Sequence, residues 1–150
     1  MPNWCTNYVK ITGHVETLDK IQNVISEQRQ QKRQDGLLEF LEPIGEWDWH
    51  KAVDKWDTKW DVDIDYMIRD HLDDDEPSLR LKFFSAWSPP LRAYKQGEKT
   101  HDIEIDAFFL EEGVGFMGSY SDGEENFYAF EGMDAYLTHK YYFDEGEDTF

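Results

Sequence analysis

The chain has little cysteine, little positive charge and no long apolar run. Cys5 is its single cysteine, so no intramolecular disulfide can form, which fits a reducing compartment. Only 15 Lys and Arg stand against 33 Asp and Glu, a net charge of −18. Such a field repels phosphates and anionic lipid and attracts basic surfaces. Direct nucleic-acid binding and membrane association are therefore not expected. The densest basic stretch holds only Arg29, Lys32 and Arg33. No apolar run approaches the ~20 residues of a membrane-spanning helix. Met1-Pro2-Asn3-Trp4 lacks the basic and then apolar start of a secretory signal, and a cytoplasmic location is expected. Zinc would need closer nitrogen and sulfur ligands than one Cys and five scattered His supply. No metal or other cofactor is expected.

Aromatic residues are abundant: six Trp, eight Tyr and ten Phe. Each buries a large area, so the chain can build a core despite its charge. Its 150 residues suit one domain, and an acidic tail, 144–150, is expected to be disordered. Trp4 to Thr12 predicts a strand. From Val15 to about Gln31, Val15, Leu18, Ile21, Val24 and Ile25 recur at helical spacing. Leu37 to Ile44 predicts an irregular apolar segment. Trp47 to Trp56 predicts a short helix with Trp49, Val53 and Trp56 on one face.

Trp60, Val62, Ile64 and Tyr66 alternate with Asp61, Asp63 and Asp65. The pattern predicts a half-buried strand over 60–66 with an acidic outer face. After an acidic loop, Leu79 to Ser85 predicts its hairpin partner. Ser88 and the prolines that follow predict the cap and first turn of a helix ending near Lys95, before Gly97. Ile103 to Leu110, Gly113 to Tyr120 and Glu125 to Phe130 predict three strands, the last two joined at Asp122-Gly123. The whole predicts an α+β fold of the split β-α-β type. Its sheet is mostly antiparallel, with helices on one face and an extra C-terminal hairpin.

No catalytic residues emerge. Asp61-x-Asp63-x-Asp65 would open a calcium loop only with Gly and Glu where Tyr66 and Leu72 stand. Cys5 is a nucleophile only if a histidine approaches it; burial as a small hydrophobe is its commoner role. Gly113-x-Gly115-x-x-Gly118 falls in a predicted antiparallel hairpin, where bulge and turn glycines are expected, not a dinucleotide loop.

Four motifs occur in order: Met1-Pro2-Asn3-Trp4-Cys5-Thr6-Asn7, Trp56-Asp57-Thr58-Lys59-Trp60-Asp61, Ser85-Ala86-Trp87-Ser88-Pro89-Pro90 and Gly113-Val114-Gly115-Phe116-Met117-Gly118. Together, over Met1 to about Phe130, they resemble the YubB-type ferredoxin-like family carried by bacteriophages and plasmids. The family often has Gly where Asp57 stands and Asn where Lys55 stands. The resemblance implies a ferredoxin-like fold and a mobile-element origin in a bacterial host cell. It implies no activity.

The charge carries the functional expectation. Asp57, Asp61, Asp63, Asp65, Asp70, Asp73, Asp74, Asp75 and Glu76 face only Lys59 and Arg69 between positions 57 and 76. Self-repulsion on this scale costs stability and suggests a use. With Trp56 and Trp60 interleaved, the region is the expected binding surface for a host protein with a basic, nucleic-acid-binding site. A phage or plasmid inhibitor of restriction, CRISPR or transcription machinery, acting as a DNA mimic, fits that pattern. The alternative is a small enzyme or ligand-binding module with a pocket of Asn3, Trp4, Lys59 and Trp87. A ferredoxin-like RNA binder that stacks bases on sheet aromatics is disfavoured, for lack of a basic patch.

Overall fold

The computed structural model describes residues 3–31, 36–70, 77–113 and 115–129. The acidic loop Asp73, Asp74, Asp75 and Glu76 and the tail 144–150 lie outside the described residues. The elements are β1 (Trp4–Thr12), α1 (Val15–Gln31), α2 (Leu37–Leu41), α3 (Trp49–Trp56), β2 (Ile64–Asp70), β3 (Ser78–Ala86), α4 (Leu91–His101), β4 (Glu104–Glu111), β5 (Phe116–Ser121) and β6 (Glu124–Ala129). The six strands form one antiparallel sheet in the order β2-β3-β1-β4-β5-β6. The α+β class expected from the sequence is observed.

Alternation on β1, β3 and β4 decides the two faces. Cys5, Val9 and Ile11 of β1, Leu79, Leu81 and Phe83 of β3, and Ile105, Ala107 and Phe109 of β4 are buried in one cluster. Leu18, Ile21 and Ile25 of α1, Leu37, Leu38 and Leu41 of α2 and Tyr94 of α4 join the same cluster. The intervening strand positions point the opposite way, since strand side chains alternate. There Phe108, Leu110 and Met117 form a second, smaller cluster against Tyr8. Tyr8 stands directly across from Phe108 in the register.

Several elements depart from the sequence expectation. The segment at Leu37 is helical, because Asp61 caps it from afar, as described below. In α3, Trp49 and Val53 are exposed, whereas Ala52 and Trp56 are buried. The predicted aromatic face is thus rotated: the Asp48 side chain accepts from Lys51 N (3.0 Å) and fixes the helix start, and Trp56 Nε1 donates to Glu42 O (2.8 Å). Helix α4 runs through Gly97 to His101. Gly97 does not break it, since it lets α4 approach α2: a Cβ there would meet Leu41 Cδ2 at 2.5 Å. Ser88 does not cap α4 and instead donates to Asp57 O. The strand expected over 60–66 begins at Ile64 and runs to Asp70, with a register shift between Ile64 and Tyr66.

At the far edge, Asp122 (φ 53°) and Gly123 (φ 77°) make the two-residue β5–β6 turn, as the Asp-Gly pair predicts. Gly118 sits in this hairpin. An added Cβ would lie 2.1 Å from Asn126 O and 2.5 Å from Phe109 Cζ. Gly118→Ala is therefore expected to lower stability by at least ~1–3 kcal/mol in urea unfolding. An unchanged midpoint would contradict the packing of this hairpin on Phe109.

Candidate functional site

The connection from α3 to β2 is fastened at three points. Asp57 ends α3 in a left-handed conformation (φ 68°). Its carboxylate accepts from Arg92 N (3.0 Å) and lies 3.2 Å from Arg92 Nε; burial nonetheless raises its pKa. Thr58 is buried and donates to Ala86 O (2.8 Å). Asp61 accepts backbone N–H bonds from Gly36 and Leu38 (both 2.8 Å), Glu39 (2.9 Å) and its neighbour Val62 (2.7 Å). Three of these donors belong to the start of α2, where helical N–H groups have no partner of their own. Desolvation outweighs these bonds and pushes the Asp61 carboxyl from 3.8 up to about 6.

These fasteners hold Trp60 and Asp63 beside the ends of β1 and β3. Trp4, Trp60, Phe84, Ala86, Asp61 and Asp63 line an open cleft of about 600 Å³. Trp4 and Ala86 are register partners, so the cleft lies on the face away from the helices. The Trp4 and Trp60 rings are 6.1 Å apart and tilted by 36°. Trp4, Trp60 and Phe84 remain 47%, 37% and 40% exposed. Lys59 Nζ lies 4.7 Å from the Trp60 ring centre, and Lys82 Nζ lies 5.6 Å from that of Phe84. Asp63 is exposed, with one carboxylate oxygen accepting from Gln28 Nε2 (3.2 Å).

Trp4, Lys59 and Trp60, singled out in the sequence, thus come together. Trp87 N donates to Asn3 O (2.8 Å), so these two join by backbone at the same end of the sheet, with Trp87 in a left-handed conformation (φ 72°). Phe84 and Ala86 were not singled out. Alternation from Phe83, placed on the core face, was the available signal. The expected acidic face divides. Asp63 and Asp65 are exposed. Asp61 departs from the expected outer face: its carboxylate is drawn inward by the α2 amides, so although the residue lines the cleft its charge does not stand free on the surface. Trp56, expected as an interface anchor, is 2% exposed and belongs to the core. Asp57 serves Arg92.

Register also assembles a basic group invisible in the linear sequence. Lys10 pairs with Arg80, two register positions from Tyr8 and Lys82 and on the same face. Two of these cations face acids: Arg80 Nε lies 2.7 Å from Asp70 and Lys82 Nζ 3.9 Å from Asp65.

Cys5 is fully buried. Desolvation pushes its thiol from 9.0 up to about 12, with a smaller contribution from Glu111 and opposition from a Ser85 hydrogen bond. The thiolate is the nucleophile, so this environment disfavours thiol chemistry. Among the described residues no three His, Cys, Asp or Glu side chains converge to hold a metal ion, and no helix is long and apolar enough to cross a membrane. The chain matches no known family model, no curated protein and no solved structure.

Two outcomes follow from these environments. The folded Asp61 carboxyl binds its proton more readily than the unfolded one. Its contribution to stability is therefore fully present below 3.8 and is lost as pH rises through about 6. At ~1.4 kcal/mol per pH unit the loss is roughly 3 kcal/mol. Urea unfolding of wild type and Asp61→Asn should show the difference falling in the variant's favour between acid and neutral pH. A carboxyl NMR midpoint for Asp61 at or below 3.8 would refute it. Cys5, for its part, should react with an aromatic disulfide reagent only on unfolding; rapid stoichiometric labelling of the native chain would contradict its burial.

Proposed function

We propose that this protein is a non-enzymatic binding protein whose acidic surface occupies a basic, nucleic-acid-binding site on another protein of a bacterial host. The observation that carries this is the fate of the charges. The net charge is −18, and of the cations gathered on the open sheet face, Arg80 and Lys82 are already matched to Asp70 and Asp65. Asp63 and Asp65 stay exposed along the start of β2. Carboxylates along an edge strand can stand where a partner's Lys and Arg expect phosphates. The long-range field speeds encounter with a basic surface and repels free nucleic acid.

The finer fold reading is a ferredoxin-like sandwich extended by the β5–β6 hairpin. The antiparallel order β2-β3-β1-β4 with two helical crossovers supports it. The resemblance of the four motifs supports a phage or plasmid origin, and the acidic charge supports an accessory role directed at host defence. The aromatic cleft favours a protein surface over a small substrate, because it is open and offers exposed rings, and of its two carboxyls Asp61 is engaged by backbone N–H groups.

Affinity for the partner should fall at least about tenfold between low and moderate salt, since the attraction is screened over roughly 8–10 Å. The partner should be displaced competitively by duplex DNA. Binding indifferent to salt, or a ternary complex with DNA, would overturn mimicry. Neutralising Asp63 and Asp65 as Asn should slow association more than it speeds dissociation, as read by surface plasmon resonance.

A further inference from the structure

We infer that the cleft of Trp4, Trp60 and Phe84 receives an arginine side chain of the partner protein. The inference rests on the proposed acidic-to-basic docking and specifies where a cation is gripped. Three rings stand exposed around one hollow, and a cation within about 6 Å of a ring centre is attracted by its negative face. The protein already uses these faces in that way: Lys59 lies 4.7 Å from Trp60, and Lys82 lies 5.6 Å from Phe84.

Lys59 is the informative one. No carboxylate among the described residues pairs with its ammonium. It therefore acts as an internal placeholder on the Trp60 face. A guanidinium is planar, more weakly hydrated than an ammonium, and stacks on indole while its fork engages a carboxylate. Asp63 lines the same hollow, and its second oxygen has no hydrogen bond among the described residues. An arginine can thus displace Lys59 from Trp60 and bond Asp63 together. A phosphate-bearing ligand, nucleotides and nucleic acids included, would have to approach Asp63 against the field of the whole chain.

The test is an NMR titration of the full chain with a capped Gly-Arg-Arg-Gly peptide, following the indole N–H signals. The matching lysine peptide, the matching glutamate peptide and an oligothymidylate serve as the other arms. The Trp4 and Trp60 signals should shift together and saturate. Arginine should bind several-fold tighter than lysine, because its planar guanidinium stacks on indole while engaging Asp63. Trp60→Ala should weaken binding about tenfold, with Trp60→Phe between. Lys59→Met should tighten it several-fold, and Lys55→Met, which removes the same charge from α3, should not match that gain.

Equal binding by Trp60→Ala, no advantage of Lys59→Met over Lys55→Met, or saturation by oligothymidylate in place of the arginine peptide would overturn the inference. A basic partner that binds Trp60→Ala as well as wild type would reject the cleft and leave the acidic surface standing. Arginine peptide held in the cleft with no salt-sensitive partner would do the reverse.

Discussion

The geometry of the candidate surface depends on one buried carboxylate. Asp61 gathers four backbone N–H groups, three of them from the first residues of α2. Ionised in that place it suffers desolvation, and its raised pKa records the cost. The interaction persists because the alternative is worse: buried amides left without an acceptor cost roughly 1–3 kcal/mol each. In satisfying them, Asp61 pins the chain just after Trp60 and just before Asp63. The cleft is therefore shaped by helix α2, an element that contributes no side chain to it.

That constraint separates structural acids from available ones. Asp57 engages Arg92, Asp70 engages Arg80, and Asp61 engages backbone. None of the three adds freely to an outward field. Ion pairs near the surface bring little stability, but here they place the connection and the edge strand. Asp63 and Asp65 have weaker ties within the chain, through Gln28 and Lys82. Asp63 lines the hollow of exposed rings, so charge available to a partner lies next to the surface most able to hold it.

The sequence was legible where a local period carried the information. The bounds of β1 and α1 agree with alternation from Trp4 and helical spacing from Val15, because both elements bury a regular face. The Asp-Gly turn was legible because its backbone requirement is local. Failures cluster where a distant partner decides. The alternation from Trp60 continues smoothly through Asp61, yet amides at 36–39 turn that side chain inward and delay β2 to Ile64. Trp56 matched an exposed helical face until Glu42 O supplied a partner for its indole N–H. Gly97 read as a stop, but its missing Cβ is needed by Leu41. The cleft was half legible. Trp4, Lys59 and Trp60 stood out by residue type, whereas Phe84 enters only through the β1–β3 register.

Field and cleft answer two different demands of recognition. An acidic field acts beyond contact distance and mainly raises the rate of encounter. It holds no particular orientation, and salt weakens it. An aromatic hollow acts only at contact, where rigid rings give area at small entropic cost and slow dissociation. A protein with the field alone would bind many basic surfaces briefly. One with the cleft alone would find its partner slowly. The β1–β3 register places Trp4 and Phe84 on the sheet face that the helices leave open, and Asp61 brings Trp60 and Asp63 to the same edge, so steering and grip converge on one end of the sheet.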